Sequence, residues 1–293
     1  MKSKVWCSRP RWQNKNREVT ILDPILKYPG AKWRIAPWII SYMPPHNGYL
    51  EPWFGSGAVF FNKPRSRKET INDLDGNVVR FFRVCREHPD ELAEALALTP
   101  WSREELRLCD YEDGQLDDVE FARRFAVRCW MTFGSRQVSK SWRHSTGAHK
   151  GGGSDNPKLW SKLPAVAVQA ASRLRDAQIE CRPALDLLRS YDGPELLIYA
   201  DPPYVRSTRT LHGDQYAYEM TDADHVAMLQ AMTASHSMIL LSGYDCELYR
   251  DMLTGWHLEQ VHATAEAGKA RTECLWINPA AQDRLDRQLS LLG

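Results

Sequence analysis

The chain has 293 residues, 43% hydrophobic and 26% charged, with 38 Lys plus Arg against 37 Asp plus Glu. This composition excludes disorder as the main state, and the length suffices for one large α/β domain with room for an insertion. A formal net charge of +1 excludes no partner, because an average conceals patches.

Residues 1 to about 20 form a polar, basic arm carrying Lys2, Lys4, Arg9, Arg11, Lys15 and Arg17. From 49 to 61 a strand-like opening breaks at two glycines and turns apolar, as a strand-to-helix turn does. Residues 69–73 read as a second short strand ending in acid. An amphipathic helix follows, with Val78, Val79, Phe82 and Cys85 at helical spacing. Between 87 and 177 the character changes. Ser102 to Glu105 is a capping-box signature, Glu120 to Met131 is helical, and 132–156 is a Gly/Ser-rich basic excursion. Strand signals resume at 178–181, 195–200 and 237–241. Thr221 to Asp224 opens a helix running to about Ala234, and 256–263 pairs with 272–278 as an antiparallel hairpin. Strands alternating with helices predict an α/β fold with a mostly parallel sheet, interrupted by an insertion.

The cysteines (Cys7, Cys85, Cys109, Cys129, Cys181, Cys246, Cys274) are widely spaced with no Cys-x-x-Cys pair. Reduced thiols in a cytoplasmic protein are expected, rather than disulfides or a thiolate zinc site. No apolar run approaches a membrane span, and the basic start lacks a signal peptide's apolar core. His144 and His149, like His257 and His262, lack carboxylates at metal spacing, so no metal is expected. His225, at a helix start, reads as a surface or capping residue.

Two motifs carry chemistry. In Glu51-Pro52-Trp53-Phe54-Gly55-Ser56-Gly57 the glycines let a ligand approach the backbone, and Asp73 at the next strand end can accept hydrogen bonds from ribose hydroxyls. A lone Gly-x-Gly is equally a tight turn. No phosphate loop of the Walker type occurs, which argues against a nucleoside triphosphate. The second motif, Asp201-Pro202-Pro203-Tyr204, follows an apolar strand; a given tetrapeptide arises by chance roughly 0.002 times in a chain this long. The prolines fix the backbone so that carbonyls and carboxylate can hold an amino group, and Tyr204 offers a flat face to a base.

With these motifs the chain resembles the Dam-type class of adenine-N6 DNA methyltransferases, which use S-adenosylmethionine. Leu26 to Lys32 resembles the family's N-terminal cofactor motif, Glu51 to Gly57 its glycine motif, Asn72-Asp73 its ribose-binding strand end, and Asp201 to Tyr204 its catalytic tetrapeptide. Ser242-Gly243-Tyr244 and Arg271 to Asn278 continue the likeness. The resemblance implies a Rossmann-like methyltransferase fold whose catalytic domain spans 21–86 and 178–293, with an inserted target-recognition domain at 87–177. It also implies that Tyr28, Lys32, Glu51, Pro52, Trp53, Gly55, Ser56, Gly57, Asp73 and Asp201 contact the cofactor, and that Asp201, Pro202, Pro203 and Tyr204 form the catalytic set. Gly30-Ala31-Lys32 stands for the usual Gly-Gly-Lys, Trp53 for Phe, and Pro183 stands where an acidic residue is common. The last leaves the contact to the cofactor's adenine unassigned.

The expected reaction is in-line methyl transfer to N6 of an adenine flipped out of duplex DNA. Alternatives are cytosine-N4 or RNA adenine methylation, or a non-catalytic DNA-binding relative; Asp201 favours DNA adenine. DNA contacts are expected from Arg123, Arg124, Arg128, Arg136, Gln137, Lys140 and Arg143, in a stretch from Phe121 to Ser154 without Asp or Glu, and from Arg206 and Arg209. A monomer is favoured.

Overall fold

A computed structural model describes residues 22–111, 114–132, 141–144, 155–208, 217–264 and 270–292. The basic arm, Arg136, Gln137, Lys140, His149 and Arg209 lie outside the described residues.

Seven strands form one sheet: β1 Gly48–Glu51, β2 Lys68–Asn72, β3 Ala177–Glu180, β4 Leu196–Ala200, β5 Met238–Gly243, β6 His257–Thr264 and β7 Ala270–Ile277, in the order β3-β2-β1-β4-β5-β7-β6. Only β7 runs against its neighbours, pairing antiparallel with β5 and β6. The expected α/β fold with its closing antiparallel hairpin is present.

Alternation along the strands builds two cores. Tyr49, Leu197 and Tyr199 enter one cluster, while Leu50, Ile198 and Ala200 enter the other. A sheet buried on both faces explains why β4 and the first four residues of β5 are almost wholly apolar, as parallel strands under helices are. On the first face lie α1 Ala36–Ser41, α2 Ala58–Asn62, α3 Gly76–Glu87, α4 Pro89–Ala97, α5 Arg103–Leu108, α6 Asp118–Met131, α7 Asn156–Trp160 and α8 Leu163–Leu174. The second cluster takes side chains from α9 Ala184–Ser190, α10 Asp222–Thr233 and α11 Glu247–Met252; α12 Pro279–Leu292 follows β7.

Helices α3 to α8 all fall between β2 and β3. Phe125 and Trp160, within the expected insertion at 87–177, share one core with Phe81, Tyr49 and Tyr199. Helix starts follow the sequence. Asp75 caps α3, Asp117 caps α6, and Thr221 with Asp224 forms a complete capping box on α10. Ser102 caps α5 through the Glu104 amide, but Glu105 spends its carboxylate on Arg123 at 2.9 Å, so the expected reciprocal box is replaced by an ion pair.

The strand order reverses between β1 and β4, and such a switch point opens a crevice at the carboxyl ends of the strands. Glu51 ends β1, Asp73 follows β2 and Asp201 follows β4, so one edge of the sheet presents all three.

Candidate active site

The turn leaving β1 is sewn to the end of β2. Phe54 N donates to Asn72 O at 2.9 Å, Asn72 Nδ2 to Pro52 O at 2.8 Å, and Gly55 N to Asp73 Oδ2 at 2.7 Å. Gly57 has φ +67°, a left-handed conformation, and a Cβ there would fall 2.4 Å from Phe54 Cζ and 2.6 Å from Phe61 Cε2. Only glycine fits. Asp73 Oδ1 accepts from Asp75 N at 2.9 Å, and Asp75 Oδ2 accepts from the Tyr28 hydroxyl at 3.1 Å, which ties the N-terminal motif to the same corner.

These segments enclose a cavity of about 280 Å³, near the small end of ligand pockets. Tyr28, Lys32, Glu51, Trp53, Gly55, Ser56, Asp73, Asp201 and Pro203 line it. Pro52 and Gly57 shape the turn from behind, buried. Pro183, Ala184 and Leu185, at the start of α9, supply a wall that motif reading left blank, and Ala217 to Met220 with Met228 supply another. Both come from chain segments with no motif of their own.

Burial governs the acids. It pushes Glu51 up to about 8, with the charge of Asp201 adding to the rise and the Tyr49 hydroxyl, 2.6 Å from Oε2, opposing it. Burial raises Asp73 to about 6 against the amide bonds from Asp75 and Gly55. Asp201 is also raised by burial, opposed by Lys32. Beneath Glu51, Lys63 lies 4.1 Å from the Tyr49 ring centroid and 2.6 Å from Glu69, which also pairs with Arg173. That buried network has no local sequence signature.

Lys32 Nζ is 2.9 Å from Asp201 Oδ2 and donates to Gly30 O at 2.7 Å. Asp201 Oδ1 is buried with no hydrogen-bond partner among the described residues. Leaving a buried acceptor open costs about 1–3 kcal/mol, which an entering N–H donor would recover.

Tyr204 is enclosed by its neighbours. It is only 8% exposed: the Lys32 ammonium lies 4.9 Å from its ring centroid, Tyr244 meets it edge-on at 4.7 Å, and its hydroxyl donates to Glu273 Oε2 at 3.0 Å. The flat face exists but is covered in this arrangement. Glu273 and Tyr244, within segments noted only for their resemblance, are brought here by β7 and the end of β5.

Three of the expected DNA contacts have partners within the chain. Arg123 is held by Glu120 at 2.6 Å and Glu105 at 2.9 Å, and Arg124 by Glu120 at 2.6 Å and the Asp110 carbonyl at 2.8 Å. Acids from outside the acid-free stretch neutralise both. Arg143 is 7% exposed, with Nε and Nη2 donating to Thr132 O at 3.1 and 3.0 Å beside the Thr132–Trp142 bridge, so it braces this segment from inside. Arg128 is half-buried on α6, and Arg206 is exposed on the 3₁₀ turn Arg206–Thr208. The surface reading of His225 is corrected: it is fully buried, its Nδ1 3.1 Å from the Tyr249 hydroxyl of α11.

Among the described residues no group of three or more His, Cys, Asp or Glu is placed to hold a metal ion, and no helix is long and apolar enough to cross a membrane.

The chain matches the family model described as D12 class N6 adenine-specific DNA methyltransferase over residues 28–266. It is 25% identical over 266 residues to the type II methyltransferase M1.LlaDCHI of Lactococcus lactis subsp. cremoris, covering 84% of this chain and 90% of that protein. It is 23% identical over 279 residues to a DNA adenine methylase of Vibrio cholerae serotype O1, covering 91% and 94%. A DNA adenine methylase of Salmonella typhi is 22% identical over 237 residues, covering 77% and 82%.

Proposed function

Because the chain belongs to the D12 class N6 adenine-specific DNA methyltransferases, and so is an adenine-specific DNA methyltransferase, we propose that its cavity takes S-adenosylmethionine and that Asp201 receives the amino group of an adenine turned out of duplex DNA. The observation that carries this reading is the buried, open Oδ1 of Asp201 beside a cavity lined by acids.

The residues present fit the cofactor. Glu51 and Asp73 suit its cationic groups and ribose hydroxyls, Lys32 its carboxylate, and Pro183 and Leu185 give its adenine an apolar wall where a family acid is missing. When bound, the cofactor supplies a methyl group activated by its sulfonium. The chain's part is to present the nucleophile. An exocyclic amine is weak because its lone pair is delocalised into the ring. Acceptors at Asp201 Oδ1 and the Pro202 carbonyl engage its two hydrogens and favour a pyramidal nitrogen with the lone pair released. The prolines hold those acceptors still, since φ is fixed at both positions. Extruding the base costs a few kcal/mol of unstacking, which these hydrogen bonds and the Tyr204 ring repay in part.

The catalytic part then spans 21–86 and 178–293, and residues 87–177 carry target recognition. Arg206 and Arg128 join Arg136, Gln137, Lys140 and Arg209 as the DNA contacts of this reading. The bacterial relatives support a cytoplasmic location. The test is incubation with plasmid DNA and tritiated cofactor, followed by nucleoside chromatography. Label in N6-methyladenine is expected; label in N4-methylcytosine, or DNA binding with no label, would overturn it.

A further inference from the structure

We propose that Glu273 is a positioning residue for methyl transfer: it anchors Tyr204 and thereby sets the plane against which the target base lies. The inference rests on the reading of Asp201 and Tyr204 given above. Glu273 stands on β7, beside the register pair Gly243–Cys274 that joins β7 to β5, and is 6% exposed. Its Oε2 accepts the Tyr204 hydroxyl at 3.0 Å, across 69 residues of sequence. A tyrosine ring has two side-chain torsions. With its Cα on a proline-fixed turn and its hydroxyl bound to a rigid strand, neither torsion is free.

The front of the ring is arranged differently from its anchored end. Lys32 Nζ lies 4.9 Å from the ring centroid and 2.9 Å from Asp201 Oδ2, so it occupies the space between the aromatic face and the amine acceptor. A base entering that space displaces the Lys32 ammonium, while Tyr204 stays held by Glu273 and edge-on by Tyr244. A buried acid is a costly way to satisfy one hydroxyl, and what Glu273 supplies is an acceptor fixed in place on β7. Neither Glu273 nor Tyr204 is among the residues lining the cofactor cavity. The anchor therefore acts on the base side alone.

The experiment compares Glu273→Ala, Glu273→Gln, Tyr204→Phe and the Glu273→Ala/Tyr204→Phe double variant, each by cofactor titration and by kcat for DNA adenine methylation. Glu273→Ala is expected to lower kcat by about 10- to 100-fold while cofactor Kd stays within about twofold, and Glu273→Gln, which keeps an acceptor, to recover most of the loss. The double variant is expected to lose no more than the worse single variant, because both remove the same bond. Undiminished kcat in Glu273→Ala, equal damage from Gln and Ala, losses that multiply in the double variant, or cofactor affinity falling along with kcat would each overturn the proposal. Failure of the wild-type protein to methylate adenine would instead contradict the function on which it rests.

Discussion

Lys32 Nζ lies 2.9 Å from Asp201 Oδ2 and 4.9 Å from the centroid of the Tyr204 ring, so one cation bridges the two ends of the Asp201–Tyr204 tetrapeptide. Burial raises the Asp201 carboxyl and Lys32 opposes the rise. Replacing Lys32 by Met removes the opposing charge, so Asp201 stays protonated to higher pH and stops accepting from the amine. The acid limb of the kcat profile should move to higher pH. An unchanged acid limb in Lys32→Met would show that the ion pair does not set the state of Asp201.

Glu51 gives the cavity its own pH dependence. Held up to about 8, it is mainly neutral at pH 7, and a cationic ligand favours its carboxylate. Cofactor binding then releases a proton, and affinity should climb as pH rises towards 8 and level off above it. The ligand's own amino group titrates in the same range, so the comparison is with Glu51→Gln. The slope attributable to Glu51 is the part that the variant loses, read by titration calorimetry in buffers of different ionisation enthalpy. Identical slopes in both proteins would exclude Glu51 as the titrating group.

The glycine turn is a steric requirement before it is a binding feature. Gly57→Ala places a Cβ 2.4 Å from Phe54 Cζ at φ +67°, and should destabilise the fold by about 2–4 kcal/mol as well as abolish cofactor binding. Gly76→Ala is the control, since nothing lies within 4 Å of a Cβ there. Denaturant midpoints separate the two; equal midpoints would mean that the turn relaxes around a methyl group.

Arginines in the same sequence neighbourhood should behave differently. Arg206→Ala removes an exposed cation and is expected to reduce the slope of log affinity against log salt by about 0.9. Arg143→Ala strips the Thr132 carbonyl of its buried donors and should cost about 1–3 kcal/mol of stability with the salt slope intact. The reverse pattern would restore Arg143 as a DNA contact.

Local chemistry made much of this molecule legible. The strand, glycine turn and helix from 48 to 62, the acid after β2, the Thr221 capping box, the closing hairpin and the tetrapeptide after β4 each declare themselves within a few residues. What stayed hidden depends on distant partners. Counting arginines from Phe121 onward could not show Glu105 and Glu120 returning to neutralise Arg123 and Arg124. Nor could it show Thr132 turning Arg143 inward. Glu273 acquires its meaning only when β7 pairs with β5, and the Pro183 wall only when β3 ends beside Asn72, whose side chain grips the Arg182 backbone at 2.9 and 3.0 Å.

The acceptor role of Asp201 is tested most directly by methyl transfer from labelled S-adenosylmethionine to DNA, measured for the wild-type protein and Asp201→Ala at matched cofactor occupancy. Removing the carboxylate leaves the amine without its main acceptor, and a loss of about 10²–10³ or more in kcat is expected, with N6-methyladenine the only labelled nucleoside in the wild-type reaction. N6-methyladenine formed by Asp201→Ala at the wild-type rate would contradict it.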